Sequence, residues 1–187
     1  MDLPKPENTT CLISCNINGV RRGDDYQDLL EIAQSLKTSS IDITSFCETN
    51  IDWRSSAKSK LHEKFRRVYH HIKPSTSSNS IKYNTLYQPG GTITMAMDQY
   101  TGRITNQGSD QELGRWSFIE ILGSQERKII ITTIYQVCTH GPRAGSRTAD
   151  SQQQSLFDAT AELAHRERPC STTLTNKWEN GFNWGTS

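Results

Sequence analysis

Two short apolar runs flanking one amphipathic helix set the strongest limit on this chain. Cys11-Leu12-Ile13-Ser14-Cys15-Asn16-Ile17-Asn18 is apolar and then meets Gly19, which reads as a buried strand stopped by a turn. Asp24 or Asp25 offers a helix cap, and Tyr26, Leu29, Leu30, Ala33 and Leu36 follow at spacings of three and four. That spacing predicts a helix to Lys37 with one apolar stripe. Ile41-Asp42-Ile43-Thr44-Ser45-Phe46-Cys47 is the next strand. A strand, a helix and a strand in so few residues predict a βαβ unit with parallel strands and a right-handed crossover. The carboxyl ends of both strands then face one side, where α/β sheets bind ligands. Asn16, Asn18 and Glu48 are expected together at that rim.

Residues 54–67 predict a second helix, holding Arg54, Lys58, Lys60, Lys64, Arg66 and Arg67 against one acid, Glu63. Val68–Ile72 reads as a strand, and the Ser-rich stretch from Pro74 to Asn84 as a loop. Pro89-Gly90-Gly91 reads as a turn. Four β-like segments follow: Thr92–Met97, Arg103–Gln107, Trp116–Leu122 and Lys128–Tyr135. Gly102, Gly108, Gly114 and Gly123 punctuate them, and antiparallel hairpins are the simplest arrangement. Residues 139–150 read as a polar loop and 152–166 as a helix. The expected organisation is a loose arm over 1–9, a domain over 10–167 and an irregular tail over 168–187.

Composition narrows the classes. The 187 residues carry 21 Lys+Arg against 20 Asp+Glu, so a strongly basic nucleic-acid wrapper is excluded while a local basic surface is not. No run of about 18 apolar residues is present, which excludes a membrane-spanning helix. The first residues have no apolar signal core, so an intracellular location is expected, with the nucleus compatible. The five cysteines are odd in number and lack a CxxC pair, which argues against a disulfide framework or a four-Cys zinc site. Cys11, Cys15 and Cys47 read as reduced core residues.

Three segments in order carry a resemblance: Ser14-Cys15-Asn16-Ile17-Asn18-Gly19-Val20, Phe46-Cys47-Glu48-Thr49 and Ile134-Tyr135-Gln136-Val137. The arrangement resembles the endonuclease/exonuclease/phosphatase superfamily. Glu48-Thr49-Asn50-Ile51-Asp52-Trp53, Pro89-Gly90-Gly91-Thr92 and Gly114-Arg115-Trp116-Ser117 look like its retroelement-type branch. The resemblance implies an α/β fold, a partial four-layer sandwich (DNase I-like) of mixed sheets flanked by helices. It implies a Mg²⁺- or Mn²⁺-dependent endonuclease or phosphodiesterase acting on DNA, with descent from a retrotransposon part of the same reading. The family's later Gly-Asp-x-Asn and Ser-Asp-His strings do not occur, so the chain is read as C-terminally shortened and as a poor or dead catalyst.

The same resemblance assigns candidate roles. Glu48 is the metal carboxylate, with Asn18 as a further metal contact, because Mg²⁺ takes oxygen ligands and few of them from protein. Asn16 and Asn18 orient the attacking water and a phosphate oxygen. Tyr135 aims its hydroxyl at the scissile phosphate; otherwise it is a half-buried strand tyrosine. Arg115 grips a phosphate, or simply stacks beside Trp116. Lys58, Arg66 and Arg67 contact a DNA backbone, or form a solvated charged face. His70 and His71 are adjacent on a strand and so point to opposite faces, which disfavours joint metal binding. Competing readings are a non-catalytic nucleic-acid-binding remnant, a phosphoinositide or phospholipid phosphodiesterase of the same fold, and an unstable fragment.

Overall fold

In the computed structural model, which describes residues 5, 9–21, 23–80, 88 and 90–135, strand β1 (Leu12–Asn16) lies parallel to β2 (Ile43–Cys47). Leu12 sits opposite Ile43 and Asn16 opposite Cys47. Helix α1 (Gly23–Thr38) joins them and buries Leu29, Ala33 and Leu36, the stripe its spacing requires. The helix begins upstream of both candidate caps. The Asp25 carboxylate instead pairs with Lys60 and Lys64 of α2 (Ala57–Phe65), at 2.8 Å each, tying the two helices together. The expected helix over 152–166, the loop over 139–150, the tail and most of the arm lie outside the described residues.

The first sheet has the order β1-β2-β4-β3, with β4 (Thr92–Met97) antiparallel to both β2 and β3 (Ile72–Ser77). The second is a meander of β5 (Ile104–Ser109), β6 (Trp116–Leu122) and β7 (Lys128–Ile134). The expectation of successive hairpins therefore holds for β5 to β7 and fails for β4. Every residue of β4 is buried, as befits a central strand covered on both faces.

A second correction concerns β3. The strand expected at Val68–Ile72 begins only at Ile72, and it occupies part of the stretch read as a Ser-rich loop. Pro74 is compatible because β3 is an edge strand, where a missing N–H breaks no ladder. Its serines face polar partners: Ser75 donates to the Gly108 carbonyl at 2.6 Å, and Ser77 lies 2.7 Å from the Thr92 hydroxyl.

Two apolar clusters form. One lies between the helices and the first sheet and holds Leu29, Phe46, Trp53, Leu61, Phe65, Ile93 and Met95. The other lies between the sheets and is small: Ile43, Ala96, Tyr100, Ile104, Ile119 and Ile121. The rest of the inter-sheet space is closed by hydroxyls. Thr94 meets Ser117 at 2.9 Å and Thr133 at 2.6 Å, Thr92 donates to Ser117 at 2.8 Å, and Ser45 meets Thr133. All five are buried. Cys11, Cys15 and Cys47 are unbridged and only half-buried. Ile129, Ile130 and Ile134 of β7 are exposed. No described helix is long and apolar enough to cross a membrane.

Two outcomes follow from this packing. Thr94→Val keeps the shape but takes one hydrogen bond each from the buried Ser117 and Thr133 hydroxyls, which keep Thr92 and Ser45 as partners, so urea unfolding should show a loss of about 1–2 kcal/mol. The Lys60 and Lys64 ammonium groups hold the Asp25 carboxyl down at about 2, against an ordinary 3.8. A depressed carboxyl stabilises the fold above its unfolded pKa. The α1–α2 tether should thus be intact above pH 3.8 and released as pH falls towards 2, read from the Asp25 carboxyl by NMR titration.

Candidate functional site

The rim at the carboxyl ends of β1 and β2 continues the parallel pairing into the loops. Ile17 N–H donates to the Cys47 carbonyl at 3.2 Å, Gly19 N–H to Glu48 at 2.7 Å and Val20 N–H to Thr49 at 3.0 Å. Asn16, Asn18 and Glu48 are therefore neighbours on one edge. The Asn16 Oδ1 accepts the Asn18 N–H at 2.8 Å, an Asx turn that leaves the Asn16 amide NH₂ as its outward donor. Asn18 and Glu48 both sit in the left-handed region, at φ 48° and 54°. Asparagine tolerates that region; glutamate does so only at a cost of about 1–2 kcal/mol. Backbone strain of this kind collects at functional sites.

Across the sandwich Ser45 meets Thr133, and two residues earlier on each strand Ile43 and Ile131 belong to one cluster, so β2 and β7 run in the same direction. Two residues further on, the strands present Cys47 and Tyr135 at the same rim, with Glu48 next. Arg115 enters here too, because Tyr135 N–H donates to its carbonyl at 2.7 Å. Its guanidinium lies over the Tyr135 ring at 4.8 Å. Trp116 stacks on Phe118 instead, with ring centroids 6.1 Å apart. Burial, and secondarily the Glu48 charge, pushes the Cys47 thiol pKa up, so it is a poor nucleophile.

The basic helix does not join this group. Lys60 and Lys64 pair with Asp25, Arg67 with Glu63 and Arg54 with Asp52. These pairs make the solvated-face reading the better one for most of its cations. Arg66 and Arg67 close α2 shortly before His71, whose carbonyl accepts from Asp98 N–H at the pole opposite the rim. Lys58 lies on the flank, in a cleft between α2 and the β3–β5 edge.

Sequence reasoning missed the parts that hold the rim in place. Thr49, Asn50, Ile51 and Trp53 are buried. Trp53 Nε1 donates to Thr49 Oγ1 at 2.9 Å, and its backbone N–H to Ser78 Oγ at 2.8 Å. Asn50 exchanges hydrogen bonds with Gly90, donating through its N–H at 2.8 Å and accepting through Oδ1 at 3.2 Å. Gly91 has φ +84°, and a Cβ there would stand 2.5 Å from Thr49 Oγ1. The signal for this contact was the Gly-Gly pair itself, which a simple turn does not require.

No protein-family model matches the chain, and no curated protein matches it. Solved structures do. An AP endonuclease from Leishmania major superposes with a TM-score of 0.59 and 15% identity, over 84% of this chain and 48% of that one. The catalytic domain of Xenopus laevis APE2 gives 0.55 and 14%, over 84% and 55%. An endonuclease/exonuclease/phosphatase family protein from Leptotrichia buccalis gives 0.52 and 10%, over 80% and 61%. The chain spans about half the length of these structures. At such identities the likeness is one of fold: a mixed α/β sandwich of the DNase I-like kind.

The rim scaffold makes a specific demand on Gly91. Gly91→Ala forces a strained φ and displaces the Thr49 hydroxyl that receives the Trp53 indole. Unfolding measurements should show a loss of about 1–3 kcal/mol, with Trp53 fluorescence shifted to the red.

Proposed function

We propose that this chain carries the amide–carboxylate half of a divalent-metal phosphodiesterase site acting on DNA, of retroelement descent, with weak turnover by itself. The observation that supports the reading is the strained Glu48 beside two asparagines on one rim, at the end of the sandwich where Tyr135 and Arg115 leave the second sheet. The donor set fits a hard, oxygen-seeking cation held mainly by water and substrate: Glu48 offers a carboxylate and Asn18 an amide oxygen. Among the described residues no group of three His, Cys, Asp or Glu side chains stands ready to cage an ion by itself. When bound, such a cation stabilises the charge that develops on the phosphate.

The chain's own residues have the remaining roles. The free NH₂ of Asn16 donates to a phosphate oxygen, its Oδ1 being engaged by Asn18. Arg115, stacked on Tyr135, offers its fork to a second phosphate oxygen. The solved neighbour named as an AP endonuclease supports the nuclease reading, and the Glu48-Thr49-Asn50-x-x-Trp53 and Gly114-Arg115-Trp116-Ser117 strings favour the retroelement branch over head-group phosphodiesterases. A nuclear location accords with a DNA substrate.

Weak turnover follows from what the 187 residues lack. A positioned acid–base group contributes about 10²–10⁴ in rate, and an electrostatic anchor about 10²–10³. The Gly-Asp-x-Asn and Ser-Asp-His strings that would supply them are missing from the sequence. Supercoiled plasmid with Mg²⁺ tests both parts. Faint nicking that disappears in Glu48→Ala is the expected result. Robust nicking would refute the claim of weakness, and nicking that survives Glu48→Ala would refute the site.

A further inference from the structure

A cleft of about 790 Å³ opens on the flank of the sandwich, between α2 and the β3–β5 edge. It starts at the rim loop, beside Arg54 and Ser55, and runs along Lys58, Ser59 and His62 towards Gln107. None of its lining residues is a carboxylate. Elsewhere on this basic segment Lys60, Lys64 and Arg67 are satisfied by Asp25 or Glu63, while Arg66 at the C-cap is exposed and lies outside the cleft lining. Lys58 lines the cleft, is exposed, and among the described residues pairs with no acid. The Ser59 and Gln107 side chains are exposed polar groups on the same walls.

We infer that this cleft binds the sugar–phosphate backbone of a single-stranded nucleic acid, independently of base sequence. The charge is of one sign, and the polar donors suit phosphate oxygens. The size falls in the range of ligand pockets, about 300–1,000 Å³, and suits about one or two nucleotides of one strand. Trp53 lines the cleft but is 2% exposed, so no aromatic face is offered to a base. Binding should therefore be electrostatic and tolerant of sequence. The cleft meets the rim at Arg54 and Ser55, so a strand lying in it leads towards Glu48. In this respect the inference rests on the DNA reading of the rim, while its test does not require the rim to be active.

The experiment uses the full chain and a fluorescein-labelled thymidine 12-mer, followed by anisotropy over a series of NaCl concentrations. Lys58→Ala/His62→Ala should bind about tenfold more weakly. Its log K against log salt should flatten by about 0.7, the value of one phosphate contact on a single strand. Lys58→Glu alone, a surface change with no packing consequence, should weaken binding at least as much. The remote Arg127→Ala should bind as the parent chain does. Unchanged affinity in both Lys58 variants would overturn the cleft and leave the rim reading standing. Absence of binding by the parent chain in low salt would overturn it as well.

Discussion

The interface between the two sheets is held largely by hydroxyl groups, and the placement of the rim depends on that. Apolar residues make up 33% of the chain, too few to fill two layers. They are concentrated between the helices and the first sheet, where Trp53, Phe65, Met95 and their neighbours exclude water. Between the sheets, the isoleucines occupy one end, and Ser45, Thr92, Thr94, Ser117 and Thr133 the end nearer the rim. Hydrogen bonds are directional where hydrophobic contacts are not. The Ser45–Thr133 and Thr94–Thr133 contacts thereby fix the register of β7 against β2 and β4. That register brings Tyr135 and Glu48 to one edge. The arrangement is also fragile, because a buried network left partly satisfied is worse than an apolar contact.

The βαβ unit was legible in the sequence because its signals, short apolar runs in the strands and three-to-four spacing in the helix, are local properties. The bounds of β4 and β6 were legible for the same reason. β3 was not. Its Pro74, Ser75 and Ser77 have the composition of a loop, and only the edge position and the facing hydroxyls make them a strand. Arg115 stands just before β6, and its ring contact with Tyr135 comes from across the hairpin, which local spacing does not reveal. The common edge for Asn16, Asn18 and Glu48 was legible from chain direction alone. What secures that edge was not, since Thr49 and Trp53 find Gly91 and Ser78 tens of residues further on.

Those distant contacts explain how a glutamate can be kept in the left-handed region. The cost, about 1–2 kcal/mol, would be relieved by a small backbone rotation if the loop were free. It is not free. The Glu48 carbonyl accepts from Gly19, Thr49 N–H donates to Gly91, and Asn50 is tied to Gly90 on both sides. The strings that marked the retroelement-type resemblance are thus the clamps around the acid. Their glycines serve close approach of backbone and side chain, which a Cβ at Gly91 or Gly114 would prevent.

Charge distribution links the rim to the flank. The chain is almost neutral, and α2, despite its basic composition, spends most of its cations on Asp25 and Glu63. A phosphodiester approaching Glu48 unaided meets a like charge, a repulsion of about 4 kcal/mol at 4 Å near a protein surface. The amides of Asn16 and Asn18 are neutral and cannot reverse its sign. Under the proposed reading, Arg115 and a bound cation would offset that charge at the rim, whereas the lining of the flank cleft holds Lys58 and no carboxylate. A strand would be captured on the flank by charge, and its passage to the rim would be governed by the occupancy of Glu48.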